Sequence, residues 1–296
     1  MRLKKITAAA AGLGLALSLA ACGGGSDDDT PEVDVAESPE FPEGSKMAEL
    51  SEAGEMTVGT KYDQPGFGLL NLEDVPEGFD VEVAKIIAGA LGIEPENISW
   101  QEAPSANRED LIEGGDVDMV VATYTINDER KERITFAGPY YVAGQQLMVM
   151  ADNDEIDSPE VFQDNPDLKV CSVSGSTPAE NIRQYLSNVN SQLVEFDIYD
   201  RCADSLSNGQ VDAVTTDNVI LVGFAAESDG EFKLVGEQFT DEPYGIGIEK
   251  GDTEFCEFIN ETLAENEDAY TEAWESTAGQ YEGTETPTLP DADACA

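Results

Sequence analysis

Thr123, Thr125 and Arg130 follow the apolar run DMVVA (residues 118–122), with Asn127-Asp128 as a turn before the arginine. Arginine presents a planar, permanently charged fork that matches the two oxygens of a carboxylate. Threonine hydroxyls and free backbone N–H groups at a strand end can complete such a grip. A second segment, Ser174-Gly175-Ser176-Thr177-Pro178, opens a helical pattern, and the N-terminal N–H groups of a helix favour an anion. A third, Thr216-Asp217, follows a short strand pattern and offers one carboxylate. Together these fit a zwitterion: carboxylate to Arg130 and Thr177, ammonium to Asp217. Each also has a plainer reading. Arg130 lies in DERKER (128–133), a mixed run typical of solvated faces, and Ser176, Thr177 and Asp217 suit helix N-caps.

The elements that must position these groups alternate. Residues 56–60 read as a strand, and 79–91 as a helix with Phe79, Val83, Ile86, Ile87, Ala90 and Leu91 on one face. Glu82 and Lys85 fall on the other face, and Gly92 closes the helix. Strand 98–101, a helix from Ser105 to Ile112 and strand 118–122 follow. The same grammar restarts with strand 168–173, helix 177–186, strand 193–196, helix 200–207, strand 212–215 and a helix from Asp217 to Ala226. This alternation predicts an α/β fold with parallel sheets, in which ligands sit beyond the carboxyl ends of strands. All three candidate segments occupy such ends. Segments 146–150 and 244–249 read as crossovers between two α/β units, with helix 252–273 returning to the first; two independent domains in series is the alternative.

The chain has 296 residues, with 15 Lys+Arg, 62 Asp+Glu and no His. Its start is basic (Arg2, Lys4, Lys5), followed by a small-residue apolar run ending Leu19-Ala20-Ala21-Cys22. This predicts a secretory signal over 1–21. Removing it leaves 12 Lys+Arg against 62 Asp+Glu, a charge of −50. Such acidity argues against nucleic acid and against docking on anionic lipid. It suits a surface adapted to high salt, with cation storage as the rival reading. Residues 23–45 are acidic, rich in Gly and Pro, and read as a disordered tether.

Five cysteines become an even set if Cys22 is modified. The other four then form two disulfides in an oxidising compartment. Of three pairings, Cys171–Cys202 would join two elements of one βαβ region, and Cys256–Cys295 would pin the tail to a helix. Each closes a loop contributing roughly 3–4 kcal/mol. A metal site is the alternative, without a C-x-x-C or a His to support it.

The sequence resembles the family 3 extracellular solute-binding proteins, the amino-acid receptors of ABC importers. The resemblance covers residues 47–274. It is carried by GFDVEVAKIIAGALG (78–92) and VVATYTINDERKERITFAGPYY (120–141), with support from GQVDAVTTDN (209–218) and EPYGIGIEKGD (242–252). It implies a two-lobed periplasmic-binding-protein type II fold with two hinge strands that closes on its ligand. The expected boundaries are signal 1–21, lipidated tether 22–46, lobe 1 over 47–146 and 241–275, lobe 2 over 147–240, and a tail over 276–296. Leu19–Cys22 resembles a lipobox, which implies lipidation at Cys22 and an anchor on the outer face of the cell membrane; an ordinary signal cleaved elsewhere is the alternative.

By resemblance, Arg130 pairs with the α-carboxylate, Thr125 adds its N–H and hydroxyl, and the Thr123 carbonyl faces the ammonium. Thr177 supplies an N–H from lobe 2, and Asp217 takes the ammonium. Lys61 and Arg108 match positions that hold a second carboxylate, and Tyr199 adds a hydroxyl, which implies glutamate or aspartate. An ordinary surface pair is the plainer reading of Lys61 and Arg108, and glutamine or cystine are alternative ligands. The implied partners are a free amino acid and the ABC permease subunits, with a monomeric receptor and no cofactor. A dehydratase or lyase on the same fold is the competing class. A sensory ectodomain would need a second apolar span, which the chain does not carry.

Overall fold

A computed structural model describes residues 33–296. The signal segment and Cys22 lie outside the described residues. Lobe 1 begins with helix α1 (Lys46–Ala53), capped by the Ser45 hydroxyl, and strand β1 (Met56–Thr60). A small antiparallel sheet follows, of β2 (Asp63–Gln64), β3 (Gly68–Leu70) and β4 (Pro76–Glu77). Next come α2 (Phe79–Ala90), β5 (Ile98–Glu102), α3 (Arg108–Glu113), β6 (Met119–Val120), α4 (Asp128–Arg133) and β7 (Thr135–Ala143).

The chain crosses into lobe 2 at Gly144. Lobe 2 holds β8 (Gln145–Met150), α5 (Val161–Asp164), β9 (Val170–Val173), α6 (Thr177–Ile182), α7 (Val189–Gln192) and β10 (Leu193–Phe196). It continues through α8 (Tyr199–Ser207), β11 (Ala213–Asp217), α9 (Asn218–Glu227) and β12 (Phe232–Val235). The chain then returns through β13 (Glu242–Ile248), α10 (Thr253–Glu265) and α11 (Glu267–Glu275).

The two main sheets have the same plan. Lobe 1 orders β5-β1-β6-β13-β7 and lobe 2 orders β10-β9-β11-β8-β12. In each, three parallel strands meet one antiparallel strand that belongs to a crossing segment: β13 in lobe 1 and β8 in lobe 2. The expected crossover strands are therefore fully paired sheet members, and the crossings themselves are Gly144 and the link between β12 and β13. Strand β7, absent from the expected elements, is nine residues long and lies at the sheet edge. Its Gly138-Pro139 breaks the apolar pattern, and an edge is where a strand tolerates proline.

Three further expectations are corrected. Residues 33–45, expected to be disordered, pack on lobe 1. The Ala36 N–H donates to Gly89 O (2.9 Å), and Phe41 meets Phe258 edge-on at 5.4 Å. Glu82, expected on a solvated helix face, is buried beside this strap and paired with Lys85 at 2.7 Å. The single helix expected over 252–273 is two, α10 and α11, meeting at Asn266. Both disulfides, Cys171–Cys202 and Cys256–Cys295, are present.

Candidate ligand-binding cleft

The carboxyl ends of the strands in both sheets face a common cleft. A small cavity there is lined from lobe 1 by Gln64, Ser105, Arg108, Thr123 and Thr125. From lobe 2 it is lined by Ser176, Thr177, Tyr199, Thr216 and Asp217, with Pro178 and Ile220 as apolar walls. Polar side chains buried at this density need partners, so their hydrogen bonds reveal which are committed to the fold.

Asp217 ends β11 and stands at the N-cap position of α9, but its side chain makes no cap hydrogen bond. Oδ2 instead accepts from the Tyr244 hydroxyl at 2.7 Å, and Oδ1 is buried with no partner. Burial, with Glu242 nearby, pushes its pKa up to about 8. A cation arriving at Oδ1 would restore the charged carboxylate.

The lobe 1 floor is held by a second buried acid. Asp80, in the first turn of α2, accepts from the Tyr140 hydroxyl (2.6 Å) and the Thr123 N–H (2.7 Å). Burial raises its pKa to about 7. The backbone of Thr123 is left-handed (φ 45°), and its hydroxyl donates to Gln64 Oε1 at 2.9 Å. Its carbonyl, expected to face an ammonium, lies 3.4 Å from Arg108 Nη1, which also donates to Ala122 O at 2.8 Å. Arg108 opens α3 rather than lying on a surface turn; it is buried, and its Nε has no partner. Lys61 is buried after β1 and donates to Ser105 Oγ at 2.8 Å. Burial, with Arg108 and Arg130 nearby, lowers its pKa to about 7. Neither residue is the ordinary surface pair of the plainer reading.

Arg130 does not present a free fork. Nη1 donates to Thr125 O (2.6 Å), Nη2 to Gly175 O across the cleft (3.0 Å), and Nε is 3.3 Å from Glu109 Oε1. Three of its five N–H groups are engaged, and two remain. Burial, with Arg108 nearby, lowers its pKa to about 10. The Asn127 side chain caps α4 by accepting from the Arg130 N–H, so the turn before the arginine sets where it starts. Arg133 pairs with Asp110 and Glu113.

On lobe 2, Ser176 caps α6, as its plainer reading holds, by accepting from Ala179 N at 3.1 Å. The Thr177 hydroxyl, in contrast, donates to Glu242 Oε2 at 2.6 Å and lies 3.2 Å from Thr125 Oγ1. Tyr199 is buried with its ring at the cavity; burial, with Asp217 nearby, pushes its phenol up to about 12.

Sequence reasoning missed several residues here, Asp80, Glu109 and Tyr244 among them. Gln64 lines the cavity just past the first strand, a carboxyl-end position that marks it in hindsight. Glu242 is buried and accepts from Thr177, Asn181 and Thr240, holding α6 to the returning strand. Asp63 accepts from the Tyr199 N–H at 2.6 Å, so a lobe 1 carboxylate caps a lobe 2 helix. The lobes also touch where two glycines allow it. A Cβ on Gly175 would lie 2.7 Å from Ala106 Cα, and one on Gly223 would lie 2.6 Å from Pro65 O.

Comparison with known proteins agrees with this geometry. Residues 56–273 match the bacterial extracellular solute-binding proteins, family 3. The chain is 45% identical over 229 residues to the glutamate-binding protein GluB of Corynebacterium efficiens, covering 74% of this chain and 76% of that one. It is 36% identical over 246 residues to a glutamine-binding protein of Geobacillus stearothermophilus, covering 82% and 91%. Among solved structures, an ancestral arginine-binding protein bound to glutamine superposes with a TM-score of 0.70 at 32% identity, covering 78% of this chain and 99% of that one. The two-lobed fold, the cleft and these relatives agree: the chain belongs to the bacterial extracellular solute-binding proteins of family 3.

Proposed function

We propose that the cleft captures an acidic amino acid, glutamate first and aspartate second, for delivery to the permease of an ABC importer. The observation that carries this reading is the Asp217 carboxylate, buried with one unpaired oxygen, in a cavity that also holds buried Arg108. That oxygen is placed for the ammonium. The two remaining N–H groups of Arg130 and the α6 N-terminus at Thr177 serve the α-carboxylate. Lys61 and Arg108 serve the distal carboxylate, and Thr123, Thr125 and Tyr199 line the space between. The relatives named for glutamate and glutamine binding support an amino-acid ligand. They are named as binding proteins, which favours capture over catalysis.

The basic, apolar and Leu-Ala-Ala-Cys sequence at the start supports secretion and lipidation at Cys22, hence a receptor anchored outside the cell. Among the described residues no helix is long and apolar enough to cross a membrane. The acidic composition supports operation in high salt, where screening relieves self-repulsion.

Calorimetry of the mature protein in high salt against a panel of amino acids tests the reading. Glutamate is expected to bind with a micromolar or tighter Kd, about −8 kcal/mol. Arg108→Ala is expected to remove most of the preference for glutamate over glutamine. No heat with any amino acid rejects capture altogether, and unchanged glutamate preference in Arg108→Ala rejects its assigned role.

A further inference from the structure

The residue between the two cleft threonines points the other way. Thr123 and Thr125 line the cavity, whereas the Tyr124 ring is fully buried beneath it and packs edge-on against Phe136 at 4.8 Å. Both buried guanidiniums gather on this ring. Arg108 Cζ lies 4.0 Å from its centroid and Arg130 Cζ 5.0 Å. The two arginines come from different helices, α3 and α4, and the strand-end segment between Ala122 and Thr125 meets both. Its carbonyls take their tips, at Ala122 O for Arg108 and Thr125 O for Arg130, and its aromatic ring lies against their planes. Two buried like charges repel, and Glu109 pairs with Arg130 at 3.3 Å. The negative face of an aromatic ring attracts a guanidinium, and more strongly where water is excluded. The buried Tyr124 hydroxyl lies near Glu109 without a well-formed hydrogen bond among the described residues, so the ring face is the part of the side chain that both arginines share.

We propose that Tyr124 is a positioning residue that fixes the interval between Arg108 and Arg130, and thereby the length of dicarboxylate the cleft accepts. The inference rests on the glutamate reading, with Arg130 at the α-carboxylate and Arg108 at the distal one. A ligand one methylene shorter, aspartate, would not reach both cations at that interval. Glutamine uses the Arg130 end and is less sensitive to the interval. Removing the ring while keeping apolar volume leaves each arginine its carbonyl partners but no common support.

The test is the affinity of glutamate, aspartate and glutamine for the wild type, Tyr124→Phe and Tyr124→Leu. Tyr124→Phe is expected to keep all three affinities within about threefold, because the ring face that both guanidiniums meet is kept. Tyr124→Leu is expected to weaken glutamate by about thirtyfold, glutamine by less than about fivefold, and to narrow the glutamate-to-aspartate ratio about tenfold. If the leucine variant does not fold, Tyr124→Met fills a similar volume without a π face and is read the same way. Equal losses for all three ligands would reduce Tyr124 to a core residue and overturn the inference, as would a phenylalanine variant as damaged as the leucine one. A wild type that takes glutamine but not glutamate would instead overturn the functional reading, and this inference with it.

Discussion

Lobe 1 and lobe 2 share a sheet plan but stabilise it differently and bring opposite charges to the cleft. Lobe 1 is built on rings. Phe67, Phe79, Tyr140, Tyr141, Tyr244, Tyr270 and Trp274 form one contacting cluster, with Tyr141 stacked on Trp274 at 5.1 Å. Lobe 2 has a leaner core in which Cys171–Cys202 ties α8 to β9. Lobe 1 supplies the cations Lys61, Arg108 and Arg130, while lobe 2 supplies Asp217, the α6 N-terminus and hydroxyls. On the proposed reading the full cations come from lobe 1 and the unpaired Asp217 oxygen from lobe 2, so a zwitterion gains from contacting both. Arg130 belongs to both sides of this comparison, since it is rooted in lobe 1 and donates to Gly175 O in lobe 2.

That double role makes Arg130→Ala the largest expected effect. It removes the proposed α-carboxylate partner and an interlobe hydrogen bond, and leaves Glu109 without its cation. Truncating one member of a buried charge pair costs about 2–5 kcal/mol. Every amino acid that binds the wild type is expected to lose at least about thirtyfold in affinity, since 1.4 kcal/mol is tenfold. Calorimetry checks this, and retained affinity for any one amino acid would break the assignment of Arg130 to the shared carboxylate.

The two disulfides test the structural half of the comparison. They close similar loops, with sequence separations of 31 and 39, so loop entropy alone gives each about 3–4 kcal/mol. Their settings differ. Cys171 and Cys202 sit inside the lobe 2 core, and Cys202 lies on α8, whose first N–H is held by Asp63 across the cleft. Cys295 lies in the tail, where Asp293 N–H also donates to Gly138 O. Cys171→Ser/Cys202→Ser is expected to lower the unfolding temperature of lobe 2 and weaken ligand binding. Cys256→Ser/Cys295→Ser is expected to loosen residues 281–296 with little change in affinity. Hydrogen exchange resolved by segment, with calorimetry, distinguishes them. Equal losses of affinity in both double variants would mean that the aromatic lobe depends on its disulfide as much as the lean one does.

How much of this was legible in the sequence follows the same division. Local signals carried the strand–helix alternation, the helix over Phe79–Ala90 and the segments at strand carboxyl ends. Thr123, Thr177 and Asp217 therefore line the cavity that the sequence pointed to. Contacts made across the lobes were not legible. Asp63 meets Tyr199 136 residues away, and Glu242 meets Thr177 65 residues away. No local pattern encodes such a meeting. The strap over residues 33–45 misled for a related reason. The acidic, Gly- and Pro-rich composition of residues 23–45 reads as disorder, yet Val33 and Asp34 lie over Gly89, where a Cβ would come within 2.6 Å of Asp34 O. The glycine makes that seat possible, and its meaning appears only once the strap is in place.

Protons give the smallest and most discriminating test of the charge division. In the free protein, burial holds Asp217 up at about 8, so below that pH the site is largely protonated. An ammonium beside Oδ1 draws the pKa back toward the ordinary carboxylate range, so any amino acid is expected to release up to about one proton between pH 4 and 8. Affinity then rises with pH across that window. Lys61 works in the opposite sense. Burial and the two arginines lower it to about 7, so above pH 7 it is largely neutral. A distal carboxylate beside it restores the charge, taking up as much as about one proton between pH 7 and the ordinary lysine value. Glutamine carries no distal charge and draws no such uptake. At pH 7.5, glutamine is therefore expected to release more protons than glutamate, by a fraction approaching one. Calorimetry in buffers of different ionisation enthalpy measures both numbers. Asp217→Asn is expected to abolish the release common to both ligands, and Lys61→Met to abolish the difference between them. Identical proton counts for the two ligands in the wild type would place the distal group away from Lys61, leaving Arg108 as its cation.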